Sequence, residues 1–101
     1  MVTVGLLIRI EAKPGKAPEV EAMLKSALEQ VRDDTATVVW FALRLGPTTF
    51  GVFDASADEP GRQAHLDAYR APMEAAAAQL FAAAPTVEYV DVLGAKLPDR
   101  G

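Results

Sequence analysis

The sequence predicts an α+β fold: a ferredoxin-like βαββαβ domain with a four-stranded antiparallel sheet, paired into a dimeric α+β barrel. Three observations carry this expectation. Period-two apolar segments and period-3.6 segments follow one another in the order strand, helix, strand, strand, helix, strand. The two middle strands are joined across a tight Gly46-Pro47 link, which suits a hairpin. Apolar side chains occupy both faces of the strands, more than two helices can cover.

The first strand is read over Met1 to Ala12. Val2, Val4, Leu6, Ile8 and Ile10 alternate on one face, with Thr3, Gly5, Leu7 and Arg9 on the other. Lys13-Pro14-Gly15-Lys16 is a turn, because proline fixes φ and glycine accepts positive φ. The first helix runs from about Pro18 to Arg32. Pro18 suits a first helical position, and Glu19 and Glu21 suit the positive end of the helix dipole. Val20, Leu24, Ala27, Leu28 and Val31 form one apolar stripe. Asp33-Asp34-Thr35 ends the helix.

Thr37 to Leu45 and Thr48 to Ala55 are the hairpin strands. Asp58 is placed to cap a second helical region carrying Leu66, Tyr69, Met73, Ala77 and Leu80, and Pro72 predicts two short helices or one kinked helix. Thr86 to about Leu93 is the last strand, and residues 98–101 read as a frayed tail. The whole chain, 1–101, is expected to be one domain.

Composition excludes several function classes. The net charge of −4, with no basic run, argues against nucleic-acid binding. The absence of cysteine removes disulfides, thiolate nucleophiles and cysteine-based metal sites. No apolar run approaches the roughly 20 residues of a membrane span. The strand-like start suggests no signal peptide, so a cytoplasmic location is expected.

Pairing follows from the apolar faces. Val39, Phe41 and Leu43 lie on one side of the second strand and Val38, Trp40 and Ala42 on the other. Val90 and Val92 oppose Val87, Tyr89 and Leu93 on the last strand. A sheet apolar on both sides needs a second cover, and a second copy related by a two-fold axis is the simplest one.

The stretch Trp40-Phe41-Ala42-Leu43-Arg44-Leu45-Gly46-Pro47-Thr48-Thr49-Phe50-Gly51-Val52-Phe53-Asp54, continued by Ala64-His65-Leu66, resembles the antibiotic biosynthesis monooxygenase (ABM) superfamily of dimeric α+β barrels. The resemblance covers Val2 to Pro98. It implies a small-molecule enzyme, some of whose relatives oxidise quinols and anthrones with O₂ without metal or flavin. Haem-degrading relatives carry an Asn, a Trp and a haem-ligating His. This chain has no Asn, and His65 and Ala75 stand where those relatives place the Trp and the ligand, so the resemblance does not extend to haem. No cofactor is expected, since one histidine builds no His-rich metal site and no Gly-rich phosphate loop is present.

Cofactor-free oxidation needs an apolar pocket, a proton acceptor and a group that stabilises an oxyanion. His65 is the candidate base, with a structural or exposed helix residue as its alternative reading. Arg44 is the candidate oxyanion partner, against an ion pair with an acid on a neighbouring strand or helix, for example Asp54 or Asp91. Trp40, Tyr69 and Phe53 are candidate substrate contacts, against ordinary core or interface packing. Tyr69 stands four residues after His65 and so shares its helical face. Asp54 reads as a strand-end charge, and Arg62 and Arg70 as solvated helix residues. The reading is a quinol or polycyclic-phenol monooxygenase. The alternatives are an isomerase or lactone-processing enzyme and a non-catalytic binding dimer.

Overall fold

A computed structural model describes residues 1–98; the last three residues of the expected tail lie outside the described residues. The elements are β1 (Val4–Glu11), α1 (Ala17–Val31), β2 (Thr37–Arg44), β3 (Thr49–Ser56), α2 (Glu59–Leu80) and β4 (Thr86–Asp91). This is the ferredoxin-like βαββαβ order. The strands form one antiparallel sheet ordered β2-β3-β1-β4, which puts β1 and β3 at the centre.

Alternation sorts the side chains between the two faces. Leu6, Ile8 and Ile10 of β1 pair with Asp54, Val52 and Phe50 of β3 and turn toward the helices. Ile8, Ile10, Val52 and Phe50 pack with Val20 and Leu24 of α1, and with Phe81 just after α2, into the main core. The expected turn is present, with Gly15 at φ +80. Asp58 caps α2 by accepting from the Gly61 amide.

Of the two arrangements that Pro72 predicts, the second helical region adopts the undivided one, a single helix from Glu59 to Leu80. The proline removes the N–H that would reach the Ala68 carbonyl, but both residues are exposed, so water can satisfy that carbonyl. Arg62 is not a solvated helix residue. It is buried beneath the first turn of α2, where Nη1 donates to the Gly5 and Val90 carbonyls, each at 3.1 Å. Its other nitrogens meet Glu59, and its guanidinium lies 4.9 Å from the Tyr89 ring centre.

Arg62 thus ties α2 to β1 and β4. Replacement by Met keeps most of the apolar stem but orphans two carbonyls, at about 1–3 kcal/mol for each that stays dry. Thermal melts of Arg62→Met are expected to show a clear drop in Tm; a melt unchanged from wild type would show that the clamp contributes nothing.

Candidate functional site

The site is built where α2 crosses the β1–β3 pair. Leu6 and Trp40 flank Asp54 across the sheet, so Asp54 faces the helix layer and is fully buried. The expected strand-end charge is therefore an interior carboxylate. His65, in the second turn of α2, descends onto it and is 4% exposed. Its Nε2 stands 3.3 Å from Asp54 Oδ2, close enough for charge attraction but without hydrogen-bond alignment, and both Asp54 oxygens have no hydrogen-bond partner.

The other side of the ring is held more tightly. Nδ1 lies 3.0 Å from Asp34 Oδ2 and 2.9 Å from Thr37 Oγ1. The Thr37 hydroxyl donates to the same Asp34 oxygen at 2.8 Å, so its hydrogen is committed. Nδ1 is then the donor to this pair. Asp34 is itself fixed by the loop after α1, because its Oδ1 accepts from the Ala36 and Thr37 amides. A buried imidazole is thus bracketed by carboxylates on opposite edges. Among the described residues, no three such side chains are arranged to hold a metal ion.

The electrostatics follow from these contacts. Burial opposes charging of His65, but the contacts to Asp54 and Asp34 outweigh it and raise the imidazole above its ordinary 6.5. Burial also pushes the Asp34 carboxyl up, yet His65, the Thr37 hydroxyl and the Ala36 amide leave it below its ordinary 3.8. Tyr69 is raised above 10.0 by burial and by the charges of Asp34 and Asp33, so it stays a neutral phenol.

A cavity of about 360 Å³ opens beside this cluster, between α2 and the β1–β4 half of the sheet. Its walls are mostly apolar, with Leu6, Ile8, Leu66, Met73 and Val87, and its polar groups include His65, Tyr69 and Tyr89. That volume lies within the range of small-molecule sites. Tyr69 packs on His65 with ring centres 4.6 Å apart, as the four-residue spacing predicts.

The other candidate residues are placed elsewhere. Arg44 lies four residues beyond Trp40 on β2, about 13 Å along the strand. There it pairs with Glu21 of α1, stacks on Phe50 and is half exposed, beside a separate hollow of about 220 Å³. Its ion-pair partner is thus neither Asp54, which is occupied at the far end of the strand, nor Asp91. Trp40 is on the helix face but packs against the core and is absent from the cavity wall. Phe53 pairs with Leu7 and Phe41 and projects from the opposite face of the sheet. The structure brings together His65 and Tyr69, and adds Asp34, Asp54 and Thr37. Asp34 had a sequence signal: an aspartate followed two and three residues later by amides it can accept from is an Asx-turn pattern.

The chain is 48% identical to a protein of unknown function from Nitrosomonas europaea, across 98% of this chain and 97% of that one, with a TM-score of 0.94. The two belong to one family. Structures more distant in sequence share the architecture. A candidate antibiotic biosynthesis monooxygenase from Caulobacter crescentus is 22% identical, with 92% of each chain covered and a TM-score of 0.77. Another from Nitrosomonas europaea is 16% identical, with 90% of each chain covered and a TM-score of 0.79. This family therefore has the ABM fold. No family model and no curated protein matches the chain. No helix among the described residues is long and apolar enough to cross a membrane.

The bracketed histidine sets a pH signature for the stability of this chain. Because His65 is raised in the folded state, its contribution is complete below 6.5 and is lost as pH rises through the higher folded value. Because Asp34 is lowered, its contribution is present above 3.8 and is lost as pH falls through the lower folded value. Melting temperature is expected to plateau between these limits and to decline on the alkaline side. His65→Gln should remove that alkaline decline; a decline that persists unchanged in the variant assigns it to another group.

Proposed function

We propose that this chain is a cofactor-independent monooxygenase that oxidises a small quinol or polycyclic phenol with O₂, working as a homodimer in the cytoplasm. One observation carries the reading. An apolar cavity, large enough for a small aromatic molecule, ends on a buried histidine oriented by two carboxylates. The ABM fold of the chain agrees with it.

The chemistry asks little of the protein. Neutral His65 takes the proton of a substrate hydroxyl, and the apolar walls keep water away from the resulting phenolate or enolate. That anion passes one electron to O₂, and the two radicals combine at the activated ring carbon as a peroxide. His65 returns its proton to the peroxide, and loss of water then leaves a carbonyl, so CH₂ and O₂ become C=O and H₂O. The Tyr69 and Tyr89 hydroxyls are the neutral donors available to the oxyanion, in place of Arg44, which is engaged with Glu21. Asp54 and Asp34 support the positive charge His65 gains.

A specific observation also favours an isomerase reading. Both ring nitrogens face carboxylates, an arrangement suited to giving a proton back as well as taking it. Oxygen uptake with a panel of hydroquinones and anthrones separates the two. Enzyme-dependent uptake above the spontaneous rate supports the oxygenase; none on any substrate, with a shifted double bond or opened lactone in the product, supports the isomerase.

A further inference from the structure

The cavity of about 360 Å³ beside His65 lies on one flank of α2. On the other flank, between α2 and α1, is a second hollow of about 160 Å³. Tyr69 and Met73 line both. They stand four residues apart on α2 and so form one ridge, which makes the partition a single side chain thick. Tyr69 is fixed by stacking on His65, with ring centres 4.6 Å apart. Met73 is half-buried against the core, and its unbranched thioether turns about three bonds, so it is the part of the wall that yields. Pro72 leaves α2 one backbone hydrogen bond short at this same turn. The two hollows also differ in chemistry. The first carries the imidazole and phenol groups. The second has apolar walls from Met23, Ala27 and Pro72, edged by the exposed and uncharged Ser26 and Gln30.

We propose that the two hollows are one bipartite ligand site, that Met73 is the specificity-determining residue between them, and that the ligand is a quinol carrying a short aliphatic chain. The proposal rests on the reading of the cavity beside His65 as the substrate site and narrows the substrate class there. The aromatic hydroxyl belongs in the first hollow, where its polar partners are. The chain displaces the Met73 side chain and enters the second, which offers apolar surface and no charge. A flat fused ring system cannot bend round the Tyr69–Met73 ridge, whereas a flexible chain can.

The test is binding, measured without oxygen so that no turnover intervenes. Hydroquinone and its methyl, propyl, pentyl and heptyl derivatives are titrated into the whole protein by calorimetry. Each methylene that enters the second hollow is expected to tighten binding about fourfold, and the gain should stop once the hollow is full. The methionine methyl groups, labelled with carbon-13, report where the chain goes, because the protein has only three methionines. Long-chain ligands should shift the signals of both Met73 and Met23, and hydroquinone should leave Met23 unmoved. Met1, 97% exposed, is the control for non-specific binding. Ala27→Phe fills the second hollow from the α1 side and should cut the gain per methylene to almost none. Should Ala27→Phe not fold, the Met23 signal of the wild type decides. A Met23 signal unmoved by every ligand overturns the proposal. So does a chain gain that survives in Ala27→Phe, or a failure of the whole series to bind. Oxygen uptake is scored separately. A chain gain without uptake on any of these quinols sinks the oxygenase reading and leaves the bipartite site standing; uptake without a chain gain does the reverse.

Discussion

Replacing His65 with glutamine will lower enzyme-dependent oxygen uptake by about 10²–10⁴-fold, the range a positioned general base supplies. Glutamine nearly fills the ring's volume and retains hydrogen-bonding capacity toward Asp34, but it takes no proton. The loss belongs in kcat, because the apolar walls formed by Leu6, Ile8 and Met73 still bind the substrate. The pH profile sharpens the claim. Only neutral His65 accepts a proton, and its folded value lies above 6.5. Wild-type uptake should therefore climb with pH through that value, while the residual uptake of His65→Gln follows only the spontaneous ionisation of the substrate. Equal uptake by both proteins, with equal pH profiles, would strip His65 of its role and return it to a purely structural one. Tyr69→Phe is the companion variant. It keeps the stacking on His65 and removes one oxyanion donor, so its loss should be smaller than that of His65→Gln.

The parts of this site that were legible in the sequence are those written in local spacing. The His65–Tyr69 pairing is a matter of four residues on one helix, and helical geometry gives it directly. The alternation in β1 and the stripe of α1 are of the same kind, and they place the core correctly. What stayed hidden depends on long-range company. Asp54 reads as a surface charge because a carboxylate in a strand usually is one. Its burial makes sense only once His65, brought down by α2, stands beside it. Arg62 is buried because the Gly5 and Val90 carbonyls, 57 and 28 residues away, meet under α2. Arg44 has the ion pair with a neighbouring acid that its setting suggests, but which acid supplies it stayed hidden for a related reason. Strand neighbours are predictable from register, whereas Glu21 arrives from the helix packed above the sheet.

The open face of the sheet carries the second large effect. Phe41, Phe53 and Leu7 form a continuous row across β2, β3 and β1, flanked by Leu43 on one side and by Val39 and Val90 on the other. Phe41 is 53% exposed and Leu43 is 39% exposed. Four strands at about 4.8 Å spacing and roughly 20–26 Å long give a face on the order of 400–500 Å², which Arg9 and Glu88 share with the apolar row and which is comparable to the largest apolar patch of a typical monomer. Two such faces in contact bury on the order of 1,000 Å², enough for specific pairing when the centre is well packed. In a two-fold interface each substitution counts twice. Phe41→Lys places a charge from both subunits in a desolvated centre, at about 2 kcal/mol or more per copy, and should weaken the dimer about 1,000-fold. Sedimentation equilibrium reads this directly as a shift from dimer to monomer at micromolar concentration. The Asp34–His65–Asp54 cluster lies on the other side of the sheet, so the ring signals of His65 should be little changed in Phe41→Lys. A wild-type chain that sediments as a monomer would mean that the exposed row is covered by something other than its own copy. A Phe41→Lys chain that still sediments as a dimer would place the contact elsewhere on the molecule.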